Sequence, residues 1–217
     1  MYRQTLAIRI FFQCVVAIIF MALAVTEGQR YTRTAAVKDI NRGSSLSYPS
    51  HFCLYKNELY FAANNGLDGY ELWKTDGKET SMMKDIFPGV SSSFPSQLVV
   101  YNGKMYFWAA RSNADFGLWQ SDGTAPGTTI VVKFVDMATF PFIPYKGDLY
   151  FQAQDRASGT VLWKTNGTSD GTSIVADIGF KAFNPLFLAV YKDDLYFQAN
   201  DGIFGAELWR TNRTKTS

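Results

Sequence analysis

The chain has 217 residues, of which 47% are hydrophobic and 16% aromatic, and its 21 basic and 19 acidic side chains give a formal net charge of +2. This balance provides no basic surface for nucleic acid and no polybasic patch for anionic lipid. The length is sufficient for one sizeable hydrophobic core.

The first residues differ from the rest of the chain. Arg3 and Arg9 give a positive start, and an almost unbroken apolar run of 16 residues follows over residues 10–25. A membrane-spanning helix needs about 20 apolar residues, so the run is short for an anchor. We therefore predict a signal peptide over residues 1–28. Its removal makes the protein secreted and extracellular, with no membrane association afterwards; an uncleaved anchor helix is the alternative.

The rest of the chain is built from internal repeats. Four tryptophans recur at separations of 46, 44 and 46 residues: Trp73, Trp119, Trp163 and Trp209. A Leu/Met-Tyr-Phe triplet keeps the same spacing, with its tyrosines at Tyr60, Tyr106, Tyr150 and Tyr196. A period of about 45 residues indicates copies of one supersecondary unit. A unit of this size cannot bury its apolar face alone, so the copies must pack on one another.

Each copy predicts four short antiparallel strands, rich in the aromatic and β-branched residues that strands favour. The first strand ends in a tyrosine and a tight turn, of which Asn102-Gly103 is the strongest hairpin signal. The third strand surrounds the tryptophan and leads to a second turn, such as Asp122-Gly123. The triplet strands are apolar on both faces, which indicates a sheet covered on both sides. Radial packing in a β-propeller buries sheets in this way.

The phase of the repeat suggests how the ring closes. Residues 34–40 match the fourth strand of the other copies. In the last copy, only the first three strands have a match. We therefore predict an all-β, closed four-bladed β-propeller over residues 30–217, in which the strand at 34–40 pairs with the last blade and removes the open edges. A fragment of a longer array is the alternative. The blades are expected at about 50–87, 94–137, 140–179, and 184–211 plus 34–40.

Two stretches carry a family resemblance. Residues 71–77 read Glu-Leu-Trp-Lys-Thr-Asp-Gly, and residues 117–124 read Gly-Leu-Trp-Gln-Ser-Asp-Gly-Thr. They resemble the ELWxxDGT repeat family, and the linkers at 41–49 and 87–95 fit it as well. The third copy departs from the motif, because Asn166 replaces the aspartate. The resemblance implies a secreted or surface protein with a propeller-like fold. It implies no general activity and brings no catalytic residues.

Reactive side chains are scarce after the predicted signal peptide. His51 is the one histidine and Cys53 the one remaining cysteine. A serine or cysteine triad needs a histidine oriented by a third group. We predict no catalytic and no cofactor-binding residue, and therefore no enzyme, with His51 structural or at the surface. Cys53 lies in an apolar strand and is expected to be buried as a small hydrophobe; pairing with another chain is the alternative.

Several oxygen-bearing side chains recur at equivalent positions and could bind a metal ion. Aspartates recur near the end of each fourth strand, and two loops carry clustered Asn and Asp residues: Asp39, Asp85, Asp136 and Asp177, then Asn64, Asn65, Asp68, Asn200 and Asp201. Calcium favours such oxygen ligands. The alternative is that these side chains accept backbone hydrogen bonds in turns. No residue is assigned as a metal ligand, and calcium is the ion such side chains would suit.

Repeated aromatic residues are expected to pack rather than bind. The tryptophans and the triplet tyrosines recur at strand positions, where large rings serve the core. For the tyrosines at the first turn, stacking on a sugar stays an alternative to packing; these are Tyr55, Tyr101, Tyr145 and Tyr191. Two sequons, at Asn166 and Asn212, predict N-glycosylation of the turns between third and fourth strands.

These features predict a secreted, non-enzymatic structural or interaction component of an extracellular matrix, with matrix proteins or glycans as partners. The alternative is a lectin-like propeller, in which one weak sugar site per blade gains strength by multivalency. An enzyme with carboxylates on one face of the ring is a third hypothesis, because a fold alone never excludes catalysis.

Overall fold

The computed structural model describes residues 34–113, 115–136, 140–175 and 184–211. In these residues the chain forms fifteen β-strands and no helix. The strands make four antiparallel sheets, which we name I to IV in chain order, so the all-β prediction is confirmed. The predicted signal peptide and Asn212 lie outside the described residues. None of the described residues forms a helix long and apolar enough to cross a membrane.

In each sheet every strand pairs with its neighbours in sequence. Sheet I comprises β1 (Ser50–Tyr55), β2 (Glu58–Asn64), β3 (Tyr70–Thr75) and β4 (Thr80–Lys84). Sheet II comprises β5 (Ser96–Tyr101), β6 (Lys104–Ala110), β7 (Phe116–Ser121) and β8 (Thr129–Phe134). Sheet III comprises β9 (Ile143–Tyr145), β10 (Asp148–Asp155), β11 (Gly159–Thr165) and β12 (Ser173–Ile174). Sheet IV comprises β13 (Leu186–Tyr191), β14 (Asp194–Asn200) and β15 (Ala206–Thr211).

The turn between the first two strands of each sheet forms as the sequence predicts. Asn102 and Gly103 have φ values of 46° and 75°, and Lys56 and Asn57 have 48° and 65°. A two-residue hairpin of this type needs positive φ at both central positions. The turns therefore fix the register of β1 on β2 and of β5 on β6.

The turn after the third strand explains the Asp-Gly-Thr motif. Asp122 Oδ1 accepts hydrogen bonds from the Thr124 amide at 2.9 Å and the Thr124 hydroxyl at 2.7 Å. A Cβ at Gly127 would collide with the Asp122 carboxylate, which restricts that position to glycine. In sheet III, Asn166 holds Thr168 in the same way, at 3.0 and 2.7 Å. The asparagine thus preserves the turn that the aspartate builds.

Neighbouring sheets pack face to face. We call the face of a sheet that meets the next sheet its forward face, and the opposite one its backward face. Tyr60 and Leu72 on the forward face of sheet I form one core with Met105, Phe107 and Trp119 on the backward face of sheet II. The first strands of adjacent sheets also approach each other, β1 to β5 and β9 to β13. Sheets that converge at their first strands form a propeller-like arrangement.

The repeated aromatic residues pack in these interfaces. Trp73 and Trp119 are buried, while Trp163 and Trp209 are half-buried. The Tyr145 hydroxyl at the first turn donates to the Asp193 carbonyl oxygen of the next sheet at 2.6 Å, as Tyr55 does to the corresponding turn of sheet II. The prediction of packing is confirmed for these side chains, and Tyr55 and Tyr145 tie sheet I to sheet II and sheet III to sheet IV.

The predicted closing strand does not form in the described residues. Residues 34–40 make no strand, and sheet IV has three strands, β13 to β15. The leading segment instead lies against sheet I, where Ile40 packs with Phe61, Trp73 and Met82. It pairs with no strand of sheet IV, and the forward face of sheet IV is uncovered in the described residues, where Leu208 is 75% exposed. The four sheets are therefore present without the predicted pairing between the chain's two ends.

Candidate functional site

The antiparallel strands give each sheet two distinct ends. The loops between second and third strands and the linkers between sheets lie at one end, which we call the loop end. The tight turns after the first and third strands lie at the other, the turn end. Exposed apolar side chains of the loop end include Tyr48, Leu67, Val90, Phe94 and Phe204.

A cleft of about 600 Å³ opens at the loop end where sheets I and II meet. Its lining includes Tyr48, Ser50, His51, Tyr70, Phe94 and Ser96. The Phe94 ring stacks on the Tyr70 ring, with centroids 5.6 Å apart and planes 21° from parallel. Tyr48 is 61% and Phe94 52% exposed, so two aromatic rings remain available to a ligand.

The backbone around this cleft is strained. Tyr48 and Phe94 have φ values of 42° and 48°, although each precedes a proline, which favours extended backbone. His51 has φ 55° at a bulge between β1 and β2. Each such residue costs about 1–3 kcal/mol and persists only where the surrounding structure holds it. The same positions have positive φ before and within β13, at Asn184 and Phe187, so it is the exposed aromatic rings together with the strain that make the cleft our candidate binding site.

The cleft is aromatic and uncharged. Partial burial lowers the pKa of His51 below its ordinary value, which favours the neutral imidazole. The described lining residues include no Lys, Arg, Asp or Glu. Cys53, two residues from His51, is buried at 2% exposure in the core between sheets I and II, as predicted. The structure thus places the two side chains in different environments, and His51 faces a ligand space.

A buried carboxylate fixes the linker that carries Phe94. Glu71 is fully buried, and its oxygens accept hydrogen bonds from the Ile86 amide (2.7 Å), the Ser93 amide (2.9 Å) and the Ser93 hydroxyl (2.6 Å). Burial raises the pKa of Glu71 to about 7. The Tyr70 carbonyl oxygen also accepts from the Phe94 amide at 3.2 Å. These bonds hold the aromatic rim in place.

The two Asn- and Asp-rich loops are turns stabilised by their own side chains. Asn65 Oδ1 accepts from the amides of Leu67 and Asp68 at 3.0 and 2.9 Å. Asp201 Oδ1 accepts from the amides of Ile203 and Phe204, both at 2.9 Å. These bonds correspond to the alternative to calcium binding, in which the side chains accept backbone hydrogen bonds in turns. Each turn presents an exposed apolar tip, because Leu67 is 72% and Phe204 75% exposed.

The aspartates after the fourth strands are dispersed. Asp39 Oδ2 accepts from the Gly43 amide at 3.3 Å, and Asp85 is half-buried, with its pKa raised by burial. Asp177 lies outside the described residues. Within the described ranges, no group of three or more His, Cys, Asp or Glu side chains is arranged to hold a metal ion.

Of the two predicted glycosylation sites, one lies in the described chain. Asn166 is exposed at the turn end of sheet III, between β11 and β12. This end is opposite to the cleft, so an oligosaccharide there would leave the loop end accessible. Glycosylation of Asn166 and of Asn212 stays a prediction.

Sequence reasoning did not single out the cleft. Its signal was the aromatic-proline pair that recurs after 46 residues, as Tyr48-Pro49 and Phe94-Pro95. An exposed aromatic residue before a proline is poorly suited to a regular strand. The pair therefore could have marked a special backbone position at the start of each first strand. Glu71 and Glu207 share the first position of the Glu-Leu-Trp motif, but sheets II and III have Gly117 and Val161 there, so the sequence did not mark a buried role for Glu71.

Comparisons with known proteins concern the fold alone. Neither a family model nor a curated protein matches the chain. Among solved structures, a puromycin hydrolase aligns at 15% identity and a TM-score of 0.51, over 76% of this chain and 27% of that one. BamB from Moraxella catarrhalis aligns at 11% identity and a TM-score of 0.41, over 74% of this chain and 45% of its own.

The extracellular domains of Drosophila Semaphorin 1a align at 13% identity and a TM-score of 0.41, over 77% of this chain and 38% of theirs. The chain therefore spans less than half the length of each of these three structures. At 15% identity, the likeness to the puromycin hydrolase shows an all-β, propeller-like fold.

Proposed function

We propose that the chain is a secreted, non-catalytic interaction module of an extracellular matrix, which binds its partner at the loop end. The observation that carries the proposal is the aromatic cleft, where Tyr48 and Phe94 stay exposed on a strained backbone. Burying such rings in a partner is favourable, since aromatic residues dominate binding hot spots. Holding them rigid beforehand reduces the entropy lost on binding.

The arrangement of the two ends supports this role. Exposed apolar tips such as Leu67 and Phe204 surround the loop end, and large exposed apolar surfaces mark interaction sites. The turn end carries Asn166 and lysines that lie over tyrosine rings, such as Lys56 at 5.3 Å from the Tyr55 centroid. A glycan at that end would leave the opposite face to the partner. The resemblance to the ELWxxDGT family, which implies secreted or surface proteins, agrees with secretion.

A second candidate function is carbohydrate binding. The Tyr70 and Phe94 rings are stacked, and Tyr48 completes an uncharged aromatic rim. Aromatic faces of this kind pack on the apolar faces of sugar rings, and the Ser50 and Ser96 hydroxyls supply hydrogen bonds. This observation favours a neutral sugar over a charged one.

Solid-phase binding distinguishes the two functions. The secreted protein is applied to immobilised extracellular-matrix proteins, with and without enzymatic removal of their glycans, and to a glycan array. A matrix interaction module binds a protein whose glycans have been removed, whereas a lectin loses that binding and selects glycans on the array. Absence of binding in every format would contradict both functions.

A further inference from the structure

The forward face of sheet IV is uncovered where its counterparts are buried. Leu72, Leu118 and Leu162 occupy one position in sheets I to III and are 0%, 0% and 1% exposed, because the next sheet covers them. Leu208 occupies that position in sheet IV and is 75% exposed. Nothing in the described residues takes the place of a following sheet.

The first-turn tyrosines of sheets I and III follow the same rule. Tyr55 and Tyr145 are each 5% exposed and donate their hydroxyl protons to the next sheet, to the Gly103 carbonyl oxygen at 2.7 Å and the Asp193 carbonyl oxygen at 2.6 Å. Tyr191 is 60% exposed. Sheet IV thus presents a three-stranded forward face with no sheet against it among the described residues.

Sheet I offers matching space on its backward side. A Cβ at Gly123 would lie 2.9 Å from the Tyr60 hydroxyl of the preceding sheet, and one at Gly167 would meet the Tyr106 hydroxyl. Gly77 is the equivalent glycine of sheet I, and nothing lies within 4 Å of its Cβ position. The turn of sheet I therefore has room for a tyrosine from a preceding sheet.

The leading segment resembles the fourth strand of a preceding sheet. Val37 is equivalent to Met83, one repeat later, but Val37 is 66% exposed and Met83 only 7%. Ile40 is already packed against Trp73, as a residue ending a fourth strand would be. The segment 34–40 therefore lies beside sheet I with an apolar side chain uncovered, although the described residues contain no preceding sheet.

We propose that the forward face of sheet IV binds the backward face of sheet I of a second copy of this chain, head to tail. The chain already contains this interface three times, between sheets I and II, II and III, and III and IV, with the same residue types at equivalent positions. The occupant of sheet IV is thus a surface that the chain itself carries. The leading segment of the second copy becomes the fourth strand of sheet IV.

Two equivalent contacts close the assembly. Each copy supplies one forward and one backward face, so two copies satisfy both faces of each other around a common axis. A heterologous contact that closes forms a ring, and one that does not forms a filament. The resulting eight sheets fall within the range of about four to eight blades found in propellers.

The interfaces between neighbouring sheets of one chain indicate which contacts sheet IV would make with the second copy. Tyr191 Oη would donate to the Asn57 carbonyl oxygen of the second copy, as Tyr145 does to Asp193. Glu207, which is exposed and equivalent to the buried Glu71, would accept backbone amides of the second copy's segment 40–47.

The molar mass of the secreted protein tests the proposal, measured by light scattering and sedimentation over a wide concentration range. We expect a limiting mass of two chains. Leu208→Asp should give a monomer, and Val90→Asp, a similarly exposed apolar residue in the linker between sheets I and II, should leave the dimer intact. A monomeric parent protein would overturn the proposal, because sheet IV then closes differently or meets further repeats of a longer chain. An indefinite polymer, or a dimer unaffected by Leu208→Asp, would overturn it as well.

Cross-linking tests the head-to-tail geometry even if Leu208→Asp misfolds. Lys56 Nζ donates to the Asp122 carbonyl oxygen of the next sheet at 2.8 Å, so the equivalent Lys192 should lie near the turn of sheet I that contains the exposed Lys78. Lys192→Cys and Lys78→Cys proteins are mixed, allowed to exchange subunits, and treated with a short bis-maleimide. We expect cross-linked dimers in the mixture and not in either variant alone. Cross-linking of one variant alone, or none in the mixture, would overturn the proposal.

Discussion

At the scale of single residues, the motif positions serve contacts between sheets. Gly123 gives its turn a φ of 92° and also brings that turn against the Tyr60 hydroxyl, which donates to the Gly123 carbonyl oxygen at 3.3 Å. This position of the Asp-Gly-Thr motif thus requires glycine for two reasons: the backbone adopts a positive φ, and the neighbouring tyrosine leaves no room for a side chain. Only the first could be inferred from the sequence, because the second depends on the preceding copy.

Gly123→Ala and Gly77→Ala separate these requirements. Both glycines have φ near 90°, but only Gly123 faces a tyrosine. We expect Gly77→Ala to lower the free energy of unfolding by about 1 kcal/mol through backbone strain. Gly123→Ala should cost about 1 kcal/mol more, because it displaces the Tyr60 hydroxyl. Urea denaturation in the monomeric Leu208→Asp background measures both, and equal losses would contradict the inter-sheet contact.

At the scale of elements, the linker between sheets I and II is held by a buried acid. Glu71 accepts three hydrogen bonds from that linker and has a pKa raised to about 7 by burial. The Ser93 hydroxyl lies 2.6 Å from Glu71 Oε2 and 3.2 Å from the Tyr70 carbonyl oxygen. A protonated Glu71 can therefore donate to Ser93, which in turn donates to Tyr70.

Stability should depend on pH through Glu71. The folded protein keeps this proton up to a pH of about 7, whereas the unfolded chain releases it near 4.5. The free energy of unfolding should therefore fall as pH rises from 4.5 to 7, by about 3 kcal/mol at most. Glu71→Gln should remove this part of the slope. Parallel slopes for the two proteins in denaturation curves from pH 4 to 8 would contradict the raised pKa.

The turn between β11 and β12 allows a clean test of glycosylation. Asn166→Asp removes the sequon but restores the residue found in the same turn of sheet II, where Asp122 accepts from Thr124 at 2.9 Å. We expect the secreted variant to lose one glycan by mass spectrometry with a change in melting temperature of less than about 2 °C. An unchanged mass would show that Asn166 carries no glycan.

At the scale of the whole molecule, periodicity predicted more than individual residues did. The spacing of the tryptophans and the double-sided strands predicted four antiparallel sheets packed on one another, because both patterns arise from local chain geometry and burial. Closure was not predictable in this way. The segment 34–40 has the sequence of a fourth strand. The sequence does not specify whether that strand joins a sheet of its own chain or a sheet of another copy. The cleft escaped prediction because its strained backbone and stacked rings arise only where two sheets meet.

The account of function rests on the loop end, and one comparison tests it most directly. Phe94 and Leu54 are similarly exposed, at 52% and 42%, but Phe94 lines the cleft and Leu54 lies in β1 near the turn end. Binding of the parent protein, Phe94→Ala and Leu54→Ala to the matrix ligand is measured by surface plasmon resonance. We predict that Phe94→Ala weakens binding by about tenfold or more, while Leu54→Ala leaves it unchanged. Equal affinity of Phe94→Ala and the parent protein, or a loss confined to Leu54→Ala, would contradict the account.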